Sequence, residues 1–184
     1  MKRAIWTPTL AWLAAVSAAL VLAFAAPTET HVMGQLPSLA AKRMDQQMIV
    51  LPQGLGADRT LALVAYTRTQ RAEIDSWVQG LHLDQDSTIP WIRMPVLNDP
   101  GDDGKRTAIE NLILERHPEA TDRSRLVPVF TNREAFIRAA GVSGTEHASV
   151  LVLNRDGKIL ARAEGLYDED KAQALRETLM ARGD

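Results

Sequence analysis

Thr60-Leu-Ala-Leu-Val-Ala-Tyr-Thr-Arg-Thr-Gln-Arg-Ala-Glu-Ile-Asp-Ser-Trp-Val-Gln-Gly-Leu81 is the stretch whose pattern decides the fold. From Thr60 to Tyr66 it is a near-continuous apolar run, short enough for a strand buried on both faces. Beyond it, Ile74, Trp77, Val78 and Leu81 recur at the spacing of one helical face. A buried strand feeding an amphipathic helix opens an α/β sheet domain. The turn between them reads Thr67-Arg68-Thr69-Gln70.

Toward the N-terminus, residues 27–57 lack sustained periodicity and read as a linker, with Met48-Ile-Val-Leu51 a candidate edge strand ended by Pro52 and Gly54. Ahead of it, Lys2 and Arg3 precede an apolar run from Leu10 to Ala26, and Ala23-Phe24-Ala25 offers a small-residue cleavage site. Residues 1–26 are therefore expected to be an export segment. A cleaved signal peptide and an uncleaved N-terminal membrane anchor both fit, because the apolar stretch approaches the ~20 residues needed to span a bilayer. Positive charge at the extreme N-terminus favours export of the remainder. The expected location is the periplasm, or the outer side of the cytoplasmic membrane with association through the uncleaved segment.

Toward the C-terminus, residues 58–184 read as one domain. Ile89 to Leu97 is strand-like, but Pro90 and Pro95 each remove a ladder donor, so pairing is expected to be full on one side only. Thr107 with Glu110, and Thr131 with Glu134, make capping boxes for two helices; Ile109, Leu112 and Ile113 share a face of the first. Leu126 to Phe130 is a short strand candidate, and Gly141 suits a helix C-cap. Ala148 to Leu153 is a strong strand signal, and Asp156-Gly157 predicts a type I′ hairpin turn into an alternating strand over 158–164. Asp168 is placed to cap a closing helix with Ala172, Leu175 and Leu179 on its apolar face. The fold class predicted is α/β: a mixed sheet of parallel strands plus a C-terminal antiparallel hairpin, flanked by helices.

Of 184 residues, 46% are apolar and 24% charged, which suits a soluble domain with a core. The net charge of −2 gives no electrostatic reason for nucleic-acid binding. Cysteine is absent, which excludes disulfides, thiolate metal sites and thiol nucleophiles.

The order of elements resembles the thioredoxin-like fold in its larger form, as in peroxiredoxins and TlpA-like exported proteins. The resemblance rests on Thr60–Leu81, on Leu126 to Val142 and on Ala148-Ser-Val-Leu-Val-Leu-Asn-Arg-Asp-Gly-Lys-Ile159. It is most similar to the YtfJ-like exported bacterial proteins, and more weakly to the mitochondrial ATP synthase assembly factor family. Two departures matter. Thr67 to Gln70 fills the position of the redox cysteines, and Gly144-Thr-Glu-His-Ala148 stands where those proteins carry a cis-proline. The resemblance implies a non-redox module for binding or assembly, with a protein partner, no cofactor and no catalytic residue carried over.

The candidate binding surface is Thr67, Arg68, Thr69, Gln70, Arg71 and His147. Free amides at the helix N-terminus beside Arg68 and Arg71 could hold an anion, although capped turns with solvated arginines look the same. The alternative function is a non-thiol enzyme using His147 with that anion site, since the fold brings the two segments together. No metal is assigned: Asp99 to Glu110 fits an EF-hand loop only partly, and His31, Met33, Met44 and Met48 lack regular spacing.

Overall fold

The computed structural model describes residues 33–181, so the export segment expected over 1–26 lies outside the described residues. The elements are β1 (Leu39–Lys42), β2 (Met48–Leu51), β3 (Arg59–Ala65), α1 (Arg71–Gly80), β4 (Trp91–Asn98), α2 (Asp103–Arg116), α3 (Ala120–Arg125), β5 (Val129–Thr131), α4 (Arg133–Ala140), β6 (Ser149–Asn154), β7 (Ile159–Glu164) and α5 (Glu169–Met180). A five-stranded mixed sheet runs β5-β4-β3-β6-β7. Strands β3, β4 and β5 are parallel, while β6 is antiparallel to both β3 and β7. This is the fold class read from the sequence.

Strand β3 is central and buried on both faces because every residue of its interior is apolar or small. Leu61 and Leu63 point with Trp91, Val150 and Val152 toward Trp77 and Val78 of α1 and Leu175 of α5. Ala62 and Val64 point with Met94, Val96 and Leu151 toward Phe136 of α4. Fully burying one such large side chain contributes roughly 1.5–3 kcal/mol. Trp77 is fully buried, its indole N–H donates to the Gly165 carbonyl at 2.8 Å, and its ring meets Tyr167 edge-on at 5.3 Å.

Strand β4 bears out the proline argument. It pairs with β3 from Trp91 to Pro95, but with β5 only over Val96–Asn98, plus a single bridge from Arg93 to Leu126. Other local expectations are corrected. The stretch read as linker is structured from Met33 onward: β1 and β2 form a separate antiparallel pair, and Leu36, Met44 and Leu51 are buried. The caps expected at Thr107 and Thr131 belong to Asp102 and Asn132, whose side chains accept from the Lys105 and Ala135 amides. Asp and Asn are stronger N-caps than threonine; Thr107 lies inside its helix, and Thr131 lies one position ahead of its cap. Asp168 and Gly141 cap as expected.

The β6–β7 turn is not type I′. Gly157 alone has positive φ (+80°), and its N–H donates to the Asn154 carbonyl at 3.0 Å. The Asn154 side chain accepts from the Asp156 and Lys158 amides, and the ladder slips between Val152 and Leu153. These features define a longer loop in which a turn precedes a left-handed glycine and a bulge.

Candidate binding site

After β3 the chain makes one tight turn, Arg68–Gln70, and enters α1. Gln70 holds this turn from inside. Its side-chain oxygen accepts from the Tyr66 amide at 2.7 Å and the Thr67 amide at 3.1 Å, and its nitrogen donates to the Thr145 carbonyl at 2.7 Å. Gln70 is only 2% exposed, so it is not part of the surface as expected from sequence but the pin that joins the turn to the loop before β6. Thr67, Arg68, Thr69 and Arg71 remain exposed. The Thr67 and Thr69 hydroxyls bond each other at 2.8 Å, and the Thr67 amide is taken up by the Gln70 side chain, so these groups of the turn are already engaged within it.

His147 lies on the same loop that Gln70 grips, yet its partner is Glu73 in the first turn of α1. The imidazole Nδ1 is 3.2 Å from the Glu73 carboxylate, whose other oxygen accepts the Ala148 amide at 2.6 Å. That carboxylate satisfies the backbone N–H at Ala148, the start of the strand that follows the loop. The peptide bond there is trans; the one cis bond among the described residues is Leu51–Pro52. His147 opens onto a shallow polar cleft formed by Ser143 to His147 and Glu164, which includes neither Thr67 nor Thr69. The hydrogen bond of His147 goes to Glu73, while the Thr67 and Thr69 hydroxyls bond each other.

What the sequence did not reveal is a groove on the other side of the turn. Register puts Leu63, Ala65 and Leu97 on the α1 side of the sheet, and α2 stands over them with Ile109, Leu112 and Ile113. No residue of α2 is buried, and Leu112 is 41% exposed. The apolar face of α2 thus lines an open groove rather than closing onto the sheet. Thr67, Arg68 and Arg71 form its rim, joined by Arg93, Arg116 and His117; no carboxylate lines it. Arg93 pairs with Asp75 at 2.7 Å, and Arg71 reaches the same carboxylate at 3.5 Å. Burial, together with the charge of Arg93, holds the His117 imidazole below its ordinary value of 6.5, against the opposing pull of Asp122.

The acidic turn after β4 is a neutralised helix start. Asp99 is engaged by Arg106 through both oxygens, Asp102 caps α2, and Glu110 sits on the helix bonded to Lys42. Met44 is buried and Met48 exposed, so they do not converge. His31 lies outside the described residues.

No protein-family model matches the chain, and no curated protein matches it. Solved structures do. A proposed electron transfer protein from Aquifex aeolicus VF5 aligns with a TM-score of 0.57 at 12% identity, covering 83% of this chain and 96% of that one. BsSco, a member of the Sco family of cytochrome c oxidase assembly proteins, aligns at 0.53 and 14%, over 81% and 95%. The exposed lipoprotein thioredoxin of Streptococcus pneumoniae aligns at 0.50 and 14%, over 77% and 99%. The chain has the thioredoxin-like fold, without any cysteine.

Proposed function

We propose that this protein is a non-redox binding or assembly module, carried to the outer side of the cytoplasmic membrane by its N-terminal segment. The observation that supports it is the apolar, basic-rimmed groove beside Thr67–Arg71, at the carboxyl ends of the parallel strands. Open α/β sheets form their ligand crevice at that edge. With no cysteine at the turn, the groove and its rim remain while thiol chemistry is gone. BsSco belongs to a family of assembly proteins, so the fold admits such work. The partner is a protein docking on Arg68, Arg71 and the mouth of the groove.

The test is site-specific photo-cross-linking in the membrane fraction. A benzoylphenylalanine in place of Arg68 is expected to yield a discrete protein adduct, whereas the same residue in place of Gln173, exposed on α5, is expected to yield none. No adduct at position 68, or equal adducts at both positions, would contradict the proposal.

A further inference from the structure

Beyond docking a protein at its rim, the groove has the chemistry of a small-molecule site, an inference that rests on this face being the binding face. Its cavity, about 180 Å³, is smaller than an enclosed small-molecule pocket and opens to solvent, so it suits a slender chain lying along it rather than a bulky ligand. The lining is graded. Strands β4 and β5 are parallel, so α2 between them runs back antiparallel to β4. Ile109 consequently lies toward Leu97, and Arg116 toward Arg93. Apolar side chains run along the groove, Arg93 and Arg116 stand at one end of it, and Arg68 and Arg71, which follow the carboxyl end of β3, flank the other.

These cations are unsaturated. Asp75 is shared by Arg71 and Arg93 and balances one of them. Among the described residues Arg68 and Arg116 have no carboxylate partner, and the Arg93 Nε is buried with no acceptor. A buried donor without a partner costs stability unless a ligand or water fills the position. Burial first, and then the nearby charge of Arg93, push the His117 imidazole toward its neutral form.

We infer that the groove binds an aliphatic carboxylate, its chain lying between α2 and Leu63, Ala65 and Leu97, its head at Arg93 and Arg116. A neutral aliphatic ligand would leave the cations unanswered, and a compact anion such as acetate would leave the apolar wall in water. A cationic amphiphile would meet repulsion at close range.

The probe is dodecanoate, kept below its micellar concentration and added to the full-length protein with methyl-labelled isoleucine and leucine. Nuclear Overhauser contacts from its chain to Ile109, Ile113 and Leu97 are the expected result, and they separate this site from the apolar N-terminal segment. Dodecyltrimethylammonium is expected to bind at least ~10-fold more weakly at the same methyls. Ile113→Glu should abolish the contacts, and Arg116→Glu should remove the preference for the anion, with the methyl spectrum of the core unchanged in both. Equal binding of the cationic probe, contacts confined to other methyls, or no contacts at millimolar dodecanoate would overturn the inference. If dodecanoate fails while cross-linking at position 68 succeeds, the ligand class falls and the protein-docking reading stands.

Discussion

Gln70 shows how one side chain can substitute for a covalent or conformational constraint. In the thioredoxin-like fold the turn after β3 faces the loop before β6, and something must hold the two together. Here a buried amide does so with three hydrogen bonds. Gln70→Ala would strand the Tyr66 amide and the Thr145 carbonyl, and each buried orphan costs about 1–3 kcal/mol. Chemical denaturation should show a lowered midpoint at unchanged slope; an unaltered midpoint would mean water replaces the side chain without penalty. His117 supplies a prediction in pH. Its folded pKa lies below the unfolded value of 6.5, so the unfolded chain binds the proton more readily. Its contribution is complete above the unfolded value and is lost as pH falls through the folded one. Between pH 7 and pH 5 the native protein should lose stability more steeply than His117→Gln; parallel slopes would contradict the assignment.

Among the elements, those with strong periodicity were legible in the sequence: β3, α1, β6, β7 and α5 stand where the apolar pattern puts them. Strand β1 was not, because Leu39-Ala-Ala-Lys42 carries too little hydrophobic contrast to signal a strand. The caps moved because several cap-competent residues are clustered at each turn and only packing decides among them. The groove escaped notice for a different reason. Ile109, Leu112 and Ile113 form the same stripe that a core-facing helix shows, and spacing cannot tell a filled interface from an open one. Gly80 tests packing at the end of α1. A Cβ there would lie 2.4 Å from the Tyr167 ring, which meets Trp77 edge-on. Helix propensity favours alanine by roughly 1 kcal/mol, but overpacking against a ring costs typically ~1–3 kcal/mol. Gly80→Ala should therefore lower the melting temperature and shift the near-ultraviolet signal of Trp77; a rise in melting temperature would show that Tyr167 moves freely.

For the molecule as a whole, the proposed binding edge sits on a complete thioredoxin-like fold that contains no cysteine. The sheet and its two hydrophobic layers are complete, and the surface beside the Thr67–Gln70 turn is apolar within and basic at its rim. Arg68 and Arg71 carry this claim because they are exposed and add little to stability; the Arg71–Asp75 pair is a surface pair, of a kind that contributes at most ~1 kcal/mol. The measurement that bears on it most directly is partner recovery by the double variant Arg68→Glu, Arg71→Glu, quantified beside its thermal melt. The structure predicts a melting temperature within a few degrees of the native protein and a severalfold loss of the cross-linked partner. A variant that melts normally and recovers the same partner in full would contradict the claim that this edge is the binding face.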